Sequence, residues 1–150
     1  MAEKSLVIII PAHNEAMNIG KVVAEAIRFA PVIVVDDGSN DSTCAVAGQK
    51  GAKVLKHAIN LGKGATLKTG CDYAVKHGFE KMIVLDADTQ HDPQEIPHFI
   101  ESLKKADVVF GYRKFSAQMP FIFRLGNWGL SRCVQLLFGV GLNDTQCGYR

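Results

Sequence analysis

The sequence predicts an α/β fold: a mostly parallel sheet with helices on both faces. Three observations carry that expectation. Continuous apolar runs, LVIII (6–10), VIVV (32–35) and MIVL (82–85), are too short for core helices and lack the alternation of a half-exposed strand. Segments with apolar residues at helical spacing separate these runs, so strand and helix alternate along the chain. Each run also opens into a polar cluster: PAHNE, then DDGSNDS, then DADTQH. In a parallel sheet such clusters share the carboxyl edge, where ligands bind.

The elements follow in order. After LVIII, the stretch NEAMNIGKVVAEAIRFA (14–30) reads as a helix with Ile19, Val22, Val23, Ala26 and Ile27 on one face. VIVV is the second strand, and Asp41 is a candidate N-cap for the short helix after DDGSNDST. KVLKH (53–57) gives a third strand, NLGKG a turn, and a helix then runs to about His77. MIVL is the fourth strand. Pro93 suits the first turn of the next helix, whose Ile96, Phe99, Ile100 and Leu103 share a face. Pro97 should shorten or kink the start of that helix. DVVFG (107–111) reads as a fifth strand, opening into YRK.

The chain has 150 residues, one domain by size, and shows no repeat, linker or low-complexity tract. Seventeen basic against fifteen acidic residues leave +2, which argues against nucleic acid as a bulk partner. From Arg113 to Arg150, however, five Lys or Arg stand against the single acid Asp144, an excess that could face an anion. Cys44, Cys71, Cys133 and Cys147 form no CxxC pair, so a zinc site is not indicated and reduced thiols in the cytoplasm are expected. The N-terminal apolar run is too short for a signal peptide, and no run reaches the ~18 apolar residues of a membrane span. Residues 119–142 are rich in Phe and Leu. They read either as core helices or as an amphipathic surface presenting Arg124 and Arg132 to a lipid phosphate at a bilayer.

The acids carry the chemistry. In DADTQHDP, Asp86, Asp88 and Gln90 would project together, since residues two apart share a face of an extended segment. Two carboxylates ~6 Å apart at an effective dielectric near 20 repel by roughly 3 kcal/mol. A proton or a cation relieves this. Their hard oxygens suit Mg²⁺ or Mn²⁺, which take one or two carboxylates and complete their shell with phosphate oxygens. The bland alternative is a solvated turn, with Asp92 capping the helix at Pro93. His91 could be a ligand but reads rather as a surface loop histidine. Asp36 and Asp37 lie at a second strand mouth, with Gly38 permitting a tight turn, and could accept hydrogen bonds from a base or a ribose. Capping explains only one such residue. No GxGxxG or GxxxxGK[ST] phosphate loop is present.

IPAHNE (10–15), VVDDGSNDST (34–43), NLGKGA (60–65), DADTQHDP (86–93) and DTQCGYR (144–150), in this order, resemble family 2 glycosyltransferases, most closely the polyprenyl-phosphate hexose synthase branch. The resemblance spans nearly the whole chain. It implies a GT-A type nucleotide-diphospho-sugar transferase fold, a donor such as GDP-mannose or UDP-glucose, and an inverting transfer. On that resemblance Pro11, Ala12, Glu15 and Asp37 would hold the base and ribose, with Asn14 in the same donor-binding set. Lys63 would face a donor phosphate, or solvent. Asp86, Asp88 and Gln90 match the metal and diphosphate motif, with Asp88 and Gln90 as direct ligands of Mg²⁺ or Mn²⁺. Arg113 and Arg124 match arginines that grip phosphate groups of donor and acceptor. A polyprenyl phosphate acceptor needs no general base; a saccharide hydroxyl would, and Asp144 is the candidate. A third reading is nucleotide-sugar binding without turnover. Members of the family usually continue past CGYR, so a domain cut short is expected, cytoplasmic or peripheral on the cytoplasmic face of a membrane.

Overall fold

The computed structural model describes residues 5–89, 91–111 and 149. Its centre is a four-stranded parallel sheet in the order β3-β2-β1-β4, made of β1 (Leu6–Ala12), β2 (Val32–Asp36), β3 (Lys53–Lys56) and β4 (Lys81–Val84). The pairing runs Ile8↔Val32 to Ala12↔Asp36 between β1 and β2, and Leu6↔Lys81 to Ile9↔Val84 between β1 and β4. Alternation assigns the faces. Ile8, Ile10, Val32, Val34 and Ile83 join one core cluster with α1 (Ile19–Ala26), α2 (Thr43–Gln49) and α4 (Ile96–Ser102). Val7, Ile9, Ile33 and Val35 join a second cluster with Ala74 of α3 (Lys63–Lys76). Helices therefore cover both faces, as the continuous apolar strands required.

Gly70 lets α3 lie close to the sheet: a Cβ there would sit 2.6 Å from Ile9 Cγ2. The expected apolar face of α1 is buried at Ile19, Val22, Val23 and Ala26, but the helix begins five residues later than the periodicity suggests, at Ile19 rather than Asn14. The N–H groups of Asn14, Glu15 and Ala16 instead donate to Ser39 Oγ, Thr43 Oγ1 and Asp41 Oδ2, side chains of the segment after β2. Pro97 falls in the first turn of α4, and the preceding Pro93–Glu95 forms a 3₁₀ turn whose Gln94 N–H is taken by Asp92 Oδ1 at 2.9 Å.

The fifth strand expected at 107–111 is not formed among the described residues. This segment joins no ladder; Val108 and Phe110 are 63% and 40% exposed, and the Gly111 N–H bonds to Tyr149 O at 2.9 Å. No helix of the described residues is long and apolar enough to cross a membrane.

The β1–β4 ladder stops at Ile9↔Val84, apart from Leu85 N–H to Ile9 O. Pro11, which has no N–H to give, lies beyond that point. The chain winds from β1 to β2 and β3 on one side, then crosses to β4 on the other. That reversal leaves a crevice at the carboxyl edge.

Candidate active site

Two acids at the end of β2, Asp36 and Asp37, hold the carboxyl edge together. Asp36 is fully buried; its Oδ1 accepts from Ser39 N–H and Ser39 Oγ, and its Oδ2 from Cys44 Sγ, with Lys56 Nζ at 3.8 Å. Burial, then the bond to Asp36, pushes the Cys44 thiol up to about 11, so it stays protonated at neutral pH. Asn14 sits at φ 55, a left-handed conformation that asparagine tolerates. Its Oδ1 takes the Asn40 N–H at 3.0 Å. Asp41, the expected N-cap, stands one residue ahead of Ser42 at the cap, and accepts from both the N–H and the hydroxyl of Thr43.

Asp37 reaches the other way, to the loop between β3 and α3. Its Oδ1 accepts from His57 Nδ1 at 2.8 Å and Leu61 N–H at 2.9 Å, and its Oδ2 from Gly62 N–H at 2.8 Å. Burial alone would raise its pKa. The bonds from Leu61, His57 and Gly62 outweigh that and hold the carboxyl below its ordinary value. A carboxylate can only accept here, so His57 carries its proton on Nδ1, leaving Nε2 at 2.9 Å from Thr69 Oγ1. Gly38 makes the approach possible. It sits at φ +70, and a Cβ would lie 2.6 Å from the Ile59 carbonyl carbon.

Between these loops and the end of β4 opens a cleft of about 270 Å³, lined by Pro11, Ala12, Glu15, Asp37, Asp86 and Asp88 together with Lys63 and Thr66 at the start of α3. Leu85 and Ala87 continue the apolar face of β4 into the core, so Asp86 and Asp88 share the opposite side although the chain turns there. Thr89 follows at φ 62, strained for a β-branched residue. The Asp86 N–H donates to His91 Nδ1 at 3.1 Å. That ring nitrogen is then an acceptor, and its 3.7 Å approach to Asp86 Oδ2 is not the ion pair of a protonated histidine. His91 is not the surface residue expected: it is 7% exposed and stacks on Tyr149, which stacks in turn on Phe99.

Lys63 Nζ lies 2.6 Å from Asp86 Oδ1, yet that buried oxygen receives no aligned hydrogen bond. Among the described residues no three His, Cys, Asp or Glu side chains gather at metal spacing. Two carboxylates, one with an oxygen lacking an aligned donor, fit a divalent ion that draws its remaining ligands from a phosphate and water.

The sequence pattern of the family described as Glycosyl transferase family 2 matches residues 7–142. This chain belongs to that family. Among curated relatives, the UDP-N-acetylglucosamine--dolichyl-phosphate N-acetylglucosaminyltransferase of Methanococcus voltae is 33% identical over 100% of this chain and 70% of its own length. The undecaprenyl-phosphate mannosyltransferase of Micrococcus luteus is 28% identical over 95% of this chain and 63% of its own. The chain thus spans part of each relative's length. A solved structure of glucosyl-3-phosphoglycerate synthase from Mycobacterium tuberculosis, in complex with Mn²⁺, UDP-glucose and phosphoglyceric acid, superposes with a TM-score of 0.72 at 20% identity, over 97% of this chain and 55% of that one. The fold is of the GT-A type.

Of the residues singled out from sequence, Pro11, Ala12, Glu15, Asp37, Lys63, Asp86 and Asp88 line one cleft of this family 2 domain. Asn14 stands beside it, joining the two loops. Gln90, Arg113, Arg124 and Asp144 lie outside the described residues. The sequence reading missed His13, Asn60 and Thr66 of the cleft, and His57 behind it. His13 and Asn60 sit inside PAHNE and NLGKG, where position in the motif was the available signal. Nothing in KVLKH marks His57 as the partner of Asp37.

Proposed function

We propose that this domain binds a nucleotide-diphosphate hexose and transfers the sugar, with inversion and with Mg²⁺ or Mn²⁺, to a polyprenyl phosphate. The observation that carries this reading is the convergence of Asp86, Asp88 and the Lys63 ammonium with Pro11, Ala12, Glu15 and Asp37 in one cleft at the sheet's reversal point. Two relatives whose names specify a dolichyl- or undecaprenyl-phosphate acceptor support the acceptor class. GDP-mannose and UDP-glucose are both candidate donors.

Asp86, Asp88 and Gln90 would hold the ion. When bound, that ion offsets the charge that develops on the departing nucleoside diphosphate. Pro11, Ala12 and Glu15 orient the base and ribose from the end of β1. Asp37 keeps the 57–62 loop in place and has room at Oδ2 for one further donor. The N-terminus of α3 and Lys63 favour the diphosphate. A polyprenyl phosphate, with a second pKa near 6 like other phosphate monoesters, is largely dianionic at neutral pH and attacks without a general base. Arg113 and Arg124 would grip phosphate groups as two-pronged donors. A lipid-phosphate acceptor would place the reaction at a membrane surface, for which the cytoplasmic face is proposed.

The test is incubation with Mn²⁺, labelled GDP-mannose or UDP-glucose, and a short polyprenyl phosphate. Organic-soluble label is expected. Label only in water-soluble glycan would shift the acceptor to a saccharide hydroxyl, with Asp144 as the base to examine. Donor binding without transfer would reduce the activity of this chain to recognition.

A further inference from the structure

Lys63 occupies an awkward position for a cation. It is the first residue of the 14-residue helix α3, whose N-terminus has no side-chain cap and favours negative charge. It is stabilised there by Asp86, 2.6 Å away. The partners are unequal: the Lys63 side chain is 55% exposed and that of Asp86 19%. Asp86 Oδ1 is buried and receives no aligned hydrogen bond, so the ammonium neutralises it without fixing it. A flexible, half-exposed lysine can leave such a contact and remain solvated.

We propose that Lys63 is a resident counter-ion for the carboxylate of Asp86, and that it exchanges between Asp86 and the diphosphate of the donor. This rests on the reading that Asp86 and Asp88 take a divalent ion. Lys63 and that ion compete for the same carboxylate, so metal binds poorly while the cleft is empty of phosphate. A nucleoside diphosphate at the start of α3 draws the ammonium to itself and frees Asp86. Metal and nucleotide then bind as a pair, and each raises the affinity for the other by the same factor. In this way Lys63 keeps the acids from being loaded before a donor is present.

The experiment titrates Mn²⁺ into the protein, following free Mn²⁺ by electron paramagnetic resonance, with no nucleotide, with UDP and with GDP. Lys63→Met keeps the length of the stem and removes the charge; Lys63→Arg keeps the charge. Without nucleotide, Lys63→Met should bind Mn²⁺ about tenfold more tightly than the parent and Lys63→Arg within about twofold of it, in the range usual for coupled sites. The enhancement by nucleotide should shrink at least about fivefold in Lys63→Met. If Lys63→Met binds Mn²⁺ no more tightly than the parent in the absence of nucleotide, or if nucleotide enhances both equally, the exchange is wrong while the metal site stands. If the parent takes up no Mn²⁺ even with UDP or GDP, the metal reading fails and the exchange with it. Thermal unfolding of the variants separates these outcomes from loss of fold.

Discussion

Replacing Asp37 by Asn tests whether the second acid of VVDDGS is a structural clamp. The carboxylate takes two donors at Oδ1, His57 Nδ1 and Leu61 N–H, and one at Oδ2, Gly62 N–H. An asparagine has one acceptor oxygen, and its amide NH₂ must face whichever donor the other oxygen served. The Gly62 N–H also has Asn60 Oδ1 at 3.0 Å, so the cheaper orientation keeps the oxygen on His57 and Leu61. Those two bonds then fall from charge-assisted to neutral, about 1 kcal/mol each, and the third is lost for about 1 kcal/mol more. The total is about 3 kcal/mol. For a domain of this length that lowers Tm by about 6–12 °C, read by circular dichroism at pH 7.

The acid limb gives a second readout. The folded pKa of Asp37 lies below its ordinary value of 3.8. Its stabilisation is therefore complete above that ordinary value and drains as the pH falls through the lower, folded one. An amide in place of the carboxyl cannot titrate, so Asp37→Asn should lose that part of the steepening below about pH 4. A variant that melts within about 2 °C of the parent, less than the shift for 1 kcal/mol, with an unchanged acid limb, would refute the clamp.

Gly38→Ala forces a Cβ to within 2.6 Å of the Ile59 carbonyl carbon at φ +70, and backbone cannot step aside as a flexible side chain can. The cost should be about 3 kcal/mol or more in urea unfolding, and an unshifted midpoint would rule out the close approach. His91→Leu removes the acceptor of the Asp86 N–H, whereas His91→Asn offers an oxygen near the position of Nδ1. Leu should cost about 2 kcal/mol more than Asn, and equal losses would refute a stabilising role for the bond from the Asp86 N–H. Thr89→Gly relieves about 1–2 kcal/mol of left-handed strain against the 0.5–1 kcal/mol entropy cost of glycine. Thermal unfolding should show a net gain of a few tenths to about 1 kcal/mol, and a drop would show that Thr89 contributes contacts outweighing its strain.

The centre of the sheet was legible because β1 and β2 are buried on both faces, and continuous apolar runs of four or five residues suit few structures besides a covered parallel strand. The start of α1 was not. Periodicity shows where a helix could begin, but it cannot show that Ser39, Asp41 and Thr43, 25 to 28 positions away, take the N–H groups of Asn14, Glu15 and Ala16. DVVFG failed for a related reason: β-propensity alone does not make a ladder, and among the described residues no strand pairs with this segment, where Val108 stands exposed. His91 reads as polar loop, yet its ring is drawn into a stack with Tyr149, far along the chain. Local pattern reports faces; long-range capture of single donors is invisible to it.

The two acid pairs make the same point for function. Asp36–Asp37 and Asp86–Asp88 look alike in sequence, each closing an apolar strand. In the folded chain both oxygens of Asp36 and of Asp37 meet donors of the protein itself. Asp86 is different: one of its oxygens is buried beside a lysine without an aligned hydrogen bond. Leaving a buried carboxylate oxygen so poorly served costs free energy, and a fold under no other demand would satisfy it with a backbone N–H, as it does at Asp37. The unmet demand at Asp86 is what an arriving cation would satisfy, and it is the distinction between the pairs that the letters of the sequence do not record.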